Sequence, residues 1–279
     1  MLTKTKAAIV TTLFLSLGAQ ADTILNVATA GDQNMVDYVK TWLGPKFEAA
    51  HPGVKVRVIG TGPGDAGSNK ISEKLTAQQE SGAQQWDIDV AVVHQKAGGE
   101  QVAKGLLQKY RQDIQTGGMV SSPSATQALG VNVDGYVMPM FLSQTAIAWN
   151  SDLVTTPPAS YDELVAWTQK HPQAFGYNGI KNGMSGVSFV VGWIYAYGTD
   201  AQRLSAGPYD KSVEKGWQQA YEKLKAFNKN VTFTPGNAGT LDMLSRGEIA
   251  MGPVWVDMFY SWKDQGKLPP SIKLALLAP

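Results

Sequence analysis

No cysteine occurs among the 279 residues, which excludes disulfide staples, thiol catalysis, thiolate-bound zinc and iron–sulfur clusters. Histidine is nearly absent too. His51, His94 and His171 are the only three, and none belongs to an H-E-x-x-H pair, so the zinc-hydrolase pattern is missing. Neither sign of charge is in excess, with 24 basic and 23 acidic residues and no long basic run, which argues against nucleic acid as a partner. There is no G-x-S-x-G elbow and no Walker A loop. Carboxylate pairs such as Asp87 and Asp89 read as structural. The remaining enzyme reading is a secreted hydrolase using an aspartate or His94, and it is the weaker one.

The amino terminus carries the first positive signal. Lys4 and Lys6 precede a short apolar run, Ala7 to Leu17, and Ala19-Gln20-Ala21 supplies the small-x-small pattern of a signal-peptidase site. The run is too short to span a bilayer, so residues 1–21 are expected to be a secretory signal. No later stretch approaches ~20 continuous apolar residues. An exported, soluble mature chain held by its apolar core is therefore expected, located in the periplasm.

Further along, strands and helices alternate. Thr23 to Thr29 reads as a buried strand, and Met35, Tyr38, Val39, Trp42 and Phe47 mark one side of a helix that Gly44-Pro45 kinks. Val54 to Ile59 alternates as a strand should. A glycine-rich loop, a helix from about Ser68 to Glu80, and a third strand over Ile88 to Val93 complete a βαβαβα order, which implies a parallel sheet with helices on both faces. Tyr136 to Pro139 and Thr145 to Asn150 read as short strands. Ser160 and Glu163 form a capping box, and a more helical second domain follows.

Ligands of such sheets sit beyond the carboxyl ends of the strands, here Ala30 to Asn34, Gly60 to Asn69 and His94 to Gly99. Asp32, Gln33, Asp65 and His94 are the candidates in those segments. Gly62-Pro63-Gly64-Asp65-Ala66-Gly67 matches G-x-G-x-x-G, but Asp87, at the spacing of a ribose-binding acid, precedes the next strand instead of following it. A tight turn, or a helix amino terminus facing an anion or hydroxyl groups, fits better than a dinucleotide site. Trp193, Tyr195 and Tyr197 follow glycine-rich turns, and Trp255 with Asp257 follows Gly252-Pro253. Rings beside carboxylates and amides suit a polyhydroxylated ligand or an organic cation; core packing is the plain alternative for each ring.

Three segments, in order, carry a resemblance. His94-Gln95-Lys96-Ala97-Gly98-Gly99 is followed by Gly105-Leu106-Leu107. Gly135-Tyr136-Val137-Met138-Pro139 leads through Ala148-Trp149-Asn150-Ser151-Asp152-Leu153 to Tyr161-Asp162-Glu163-Leu164. Gly247-Glu248-Ile249-Ala250-Met251 runs into Trp255. Together they resemble the maltose-binding-protein type of extracellular solute-binding protein (family 1), the receptors of ABC importers. The resemblance implies an α/β, two-lobed periplasmic-binding-protein fold, each lobe a mostly parallel sheet flanked by helices. The first lobe would span 22–143 and the second 144–270, with 271–279 starting the strand that returns to the first. Members of the family continue beyond that strand, so the first lobe is expected to be incomplete. By position, the resemblance assigns ligand contacts to Gln95, Lys96, Ser143, Gln144 and Trp255. Gln95 and Ser143 stand where maltodextrin receptors carry acids, which argues against maltose itself. It implies a sugar, polyol or related solute, a membrane permease as partner, a monomer, no cofactor and no metal. The thiamine- and polyamine-type receptors share the plan and give the alternative ligand class.

Overall fold

The computed structural model describes residues 22–200, 203–204 and 210–278; the expected secretory signal lies outside the described residues. Thr23–Ala30 forms β1, Val54–Gly62 β2 and Val90–Val92 β3, and they make a parallel sheet in the order β2-β1-β3. The carboxyl half of β1 is fully buried, as a central parallel strand flanked by helices should be. Helix α1 (Gln33–Asp37) runs through a π-helical turn, Tyr38–Leu43, into α2 (Gly44–Ala50). The bend expected at Gly44-Pro45 is thus made by a wide turn: Gly44 N–H reaches back to Val39 C=O, and Pro45 sits in the first turn of α2, where its missing N–H costs nothing.

The glycine-rich stretch is a correction. It is not a long loop, because α3 spans Gly64–Glu80 and begins directly after β2. The reason is steric. A Cβ on Gly67 would lie 1.8 Å from the Gly62 carbonyl oxygen, so only glycine lets the helix leave the strand this tightly. Asp65 falls in the first turn of α3, where a negative charge is favoured. α4 (Gln95–Ala103) follows β3. The apolar centre of this lobe is modest: Ala28, Ala30, Ile71, Leu75 and Leu106.

The chain then makes a two-stranded hairpin, β4 (Gln127–Ala128) with β5 (Val131–Asn132). No strand forms over Tyr136 to Pro139, contrary to expectation; the crossing between lobes, 137–144, is irregular. Its side chains are unusually open, with Leu142 fully exposed, and the proline cannot donate to a ladder.

The second lobe is larger. Its mixed sheet has the order β10-β6-β9-β7-β8, built from β6 (Thr145–Asn150), β7 (Phe175–Tyr177), β8 (Val231–Phe233), β9 (Met251–Trp255) and β10 (Ile272–Ala275). Around it lie α5 (Tyr161–Lys170), α6 (Met184–Tyr197), α7 (Gln218–Phe227), α8 (Asn237–Ser245) and α9 (Val256–Asp264). The capping box forms at α5: Glu163 N–H donates to Ser160 Oγ at 3.2 Å, while the Glu163 carboxylate accepts from Ala159 N–H at 2.9 Å. Two apolar clusters hold the lobe, one aromatic around Phe175, Tyr177, Phe189, Trp193 and Phe227, the other around Leu241, Leu244, Met258 and Ile272. β10 pairs antiparallel with β6, and Ala278 N–H bonds to Ala159 C=O at 2.7 Å. This segment therefore stays on the second lobe through Ala278. Among the described residues, no helix is long and apolar enough to cross a membrane.

Candidate functional site

The carboxyl ends of β1, β2 and β3 and the amino termini of α1, α3 and α4 open toward the second lobe. The facing wall comes from the amino termini of α6, α8 and α9. Between the lobes lies a cavity of about 230 Å³, with Gly64, Asp65 and Ala66 on one side and Lys181, Asn182 and Met184 on the other. A second depression of about 570 Å³ sits on the second lobe at Ser245, Lys263 and Lys267, by the carboxyl ends of α8 and α9.

Asp65 anchors the first wall. Its carboxylate lies 3.5 Å from Lys96 Nζ and 3.9 Å from His94 Nδ1. His94 is held in turn by its backbone N–H, which donates to Ser68 Oγ at 3.2 Å. Gln95 and Lys96 are exposed in the first turn of α4. Deeper in, Asp32 Oδ2 accepts from Asn237 Nδ2 at 2.9 Å, across the lobes. A second bond crosses beside it, from Asn34 Nδ2 to Asp257 Oδ2, at 2.9 Å. Ser143 Oγ donates to the other oxygen of Asp257. Burial pushes the Asp32 carboxyl above the ordinary aspartate range; the Asn237 bond works against this, the charge of Asp257 adds to it and that of His94 opposes it.

Asn237 is oriented by its surroundings. Its Oδ1 accepts from Ser185 Oγ at 2.7 Å, from Asn178 Nδ2 at 2.9 Å and from Ser185 N–H at 3.3 Å. With the oxygen so occupied, the amide nitrogen is the atom that faces Asp32. Gly183 closes the back of this group: at φ +149°, it would place a Cβ 2.4 Å from both Asn178 Nδ2 and Asn237 Oδ1.

The sequence candidates divide. Asp32, Asp65, His94, Gln95, Lys96, Ser143 and Asp257 gather at the facing walls. Gln33 is turned along its own helix, its amide bonded to Asp37 at 2.8 Å. Gln144 contributes its carbonyl, which accepts Val256 N–H at 3.0 Å. Trp255 caps α9 at the end of β9 and is half-buried against the second apolar cluster. Trp193 and Tyr195 follow no turn; they lie inside α6. Trp193 is 0% exposed among Phe189, Phe227 and Tyr161, which places it in the core and out of reach of a ligand. Tyr195 is eleven residues beyond Met184, about 16 Å along a helix, and so is far from the cavity. Asn34, Asn178, Ser185 and Asn237 were not anticipated. The usable signal was weak: Asn237 follows Pro235-Gly236 at a helix start, where a polar residue is ordinary. Among the described residues, no group of three or more His, Asp or Glu side chains is placed to hold a metal ion.

The family model of the bacterial extracellular solute-binding proteins matches residues 42–279. The chain belongs to that family. Solved structures agree on the fold. A maltose-bound MalE3 of T. maritima is 17% identical with a TM-score of 0.67, covering 91% of this chain and 66% of that one. The spermidine/putrescine substrate-binding protein PotD of Streptococcus pneumoniae is 14% identical with a TM-score of 0.63, covering 91% and 68%. A solute-binding protein of Agrobacterium vitis with bound D-mannitol is 16% identical with a TM-score of 0.63, covering 91% and 63%. A search of curated proteins finds no match. This solute-binding protein is thus an α/β, two-lobed molecule whose relatives are binding proteins, not enzymes, and it spans about two thirds of the length of those solved chains.

Proposed function

We propose that the protein is an exported, monomeric receptor that takes a small polar solute into the cleft between its lobes and passes it to the membrane permease of an ABC importer. The observation that carries this reading is the cavity between the Gly64–Ala66 turn and Lys181–Met184, flanked by two hydrogen bonds that cross the lobes. Asp65, His94, Gln95 and Lys96 would meet the solute from the first lobe, with Lys181, Asn182 and Trp255 from the second. The walls carry both kinds of group, an acceptor at Asp65, donors at Lys96 and Lys181, and amides at Gln95 and Asn182, which suits hydroxyl groups, each of which both donates and accepts. A sugar or polyol is the solute class that fits this lining, and the relatives with maltose and D-mannitol support it. No cofactor enters the reading.

An organic cation is the second reading. Burial raises the Asp32 pKa and the charge of Asp257 adds to the shift, so an ammonium group between the two carboxylates would relieve repulsion. A melting screen against maltose, mannitol, tagatose, thiamine, putrescine and spermidine separates the two. A ligand at a hundred times its Kd stabilises by about 2.7 kcal/mol. A rise in Tm with one class and not the other assigns the solute. Hydrolysis of a glycoside or ester, with no shift from any of these compounds, would overturn the receptor reading in favour of a secreted hydrolase.

A further inference from the structure

The two cross-lobe hydrogen bonds join protein groups to each other, and their partners are arranged for that task. Asp32 and Asn34 sit at the amino end of α1 on one lobe, Asn237 and Asp257 at the amino ends of α8 and α9 on the other. Each bond joins an amide donor to a carboxylate acceptor, and the two are crossed. The first lobe gives a carboxylate to Asn237 and an amide to Asp257. A crossed pair specifies one alignment of the lobes, because sliding either past the other sets like groups face to face. Both second-lobe partners, the Asp257 acceptor and the Asn237 donor, are also prepared on the far side. Ser143, in the crossing segment, holds Asp257, and Asn178 with Ser185 presents the Asn237 amide nitrogen outward.

We propose that Asp32–Asn237 and Asn34–Asp257 form a clasp that holds the lobes closed in register before a solute binds, with Asn178, Ser185 and Ser143 as its positioning residues. Closure is then set by the protein's own surfaces, and the solute adds to an equilibrium already biased toward the closed form. The geometry requires only two lobes, so it stands apart from the solute reading.

Because the chain has no cysteine, the pair Glu73→Cys and Lys225→Cys, one exposed position on each lobe, can be spin-labelled without removing anything. Electron–electron dipolar spectroscopy on the full chain with no solute added reads the closed and open populations. The labelled parent should show one dominant inter-lobe distance. Asn34→Ala lies on the rim and leaves the cores intact; it should lower the closed-to-open ratio about tenfold, the range for one lost hydrogen bond to a charged group. Asn237→Asp keeps an oxygen for Asn178 and Ser185 but turns the donor into a second carboxylate, and should open the lobes further. Adding Asp32→Asn to it restores a donor–acceptor pair in reverse and should return the short distance, which a merely structural defect at 237 would not do. A parent already broadly open, an unchanged distribution in Asn34→Ala, or a reversed pair that fails to close while circular dichroism stays native-like overturns the clasp. Closure as described, with hydrolysis of a glycoside or ester and no solute raising Tm, would leave the clasp standing and remove the receptor reading; a solute that raises Tm while Asn34→Ala leaves the distance distribution unchanged would do the opposite.

Discussion

Asp32 is a carboxylate whose surroundings favour its protonated form. Its pKa is raised from 3.8 chiefly by burial, with Asp257 adding to the shift and Asn237 and His94 reducing it. The folded state therefore binds this proton more tightly than the unfolded chain does. By linkage, the Asp32 contribution to stability is greatest at low pH and declines as pH rises from about 4 through its raised folded-state value. Asp32→Asn keeps an oxygen to accept from Asn237 and loses the titration. The prediction is that the stability difference between the variant and the parent grows in the variant's favour as pH rises from 4 toward neutrality. Denaturant melts at several pH values check this, and a pH-independent difference would contradict it.

Trp193 shows the opposite use of a polar-capable side chain. It is fully buried among Tyr161, Phe189 and Phe227, and its Nε1–H has no acceptor among the described residues. Trp193→Ala should lose about 3–5 kcal/mol in chemical denaturation. Trp193→Phe should lose far less, because the ring volume largely remains and the unpaired N–H disappears. Trp255→Ala, at the partly exposed end of β9, should instead weaken solute binding while costing less stability than Trp193→Ala, since Trp255 is only partly buried against the second apolar cluster; an affinity equal to the parent's would remove Trp255 from the site. The contrast explains why the two tryptophans looked alike in the sequence. Both sit in aromatic, glycine-punctuated stretches, and only packing from α5 and α7 decides that one is interior.

At the scale of elements, the alternation of strands and helices was legible because β1 and β6 are short, largely apolar runs, β2 alternates, and Met35, Tyr38, Val39, Trp42 and Phe47 recur at helical spacing. The capping box at Ser160 and Glu163 was legible too, since its signal is local. What escaped was non-local. The turn between β2 and α3 is set by how closely a helix can approach a carbonyl, a fact about space between elements that the residue pattern does not contain. Gly67→Ala tests that account. The added methyl has no room beside Gly62 O, so α3 must shift away from β2 at a cost of about 2–3 kcal/mol, read as a drop in denaturation midpoint. The candidate site was half legible for the same reason. Strand ends announced Asp32, Asp65 and His94, whereas Asn237 matters only because Asn178 and Ser185 turn its amide.

At the scale of the whole molecule, the lobes are unequal. One has a three-stranded sheet and a separate hairpin around a small apolar cluster, and the other a five-stranded sheet between two large ones. Unfolding should therefore proceed in two steps, the first lobe melting before the second, which calorimetry or denaturant titration followed by two probes would resolve. A single coincident transition would mean that the lobe contacts make one cooperative unit.

The order β2-β1-β3 has a further consequence for amide hydrogen exchange. Only β1 is bonded on both sides, over Val27 to Thr29, so those few amides should be the slowest to exchange in the first lobe. They would still be faster than those of β6, which is likewise flanked on both sides but backed by the larger core. A solute bridging the lobes lends the smaller body the rigidity of the larger. Its footprint in deuterium uptake should therefore appear most strongly in the interior of β1, remote from the groups that touch it.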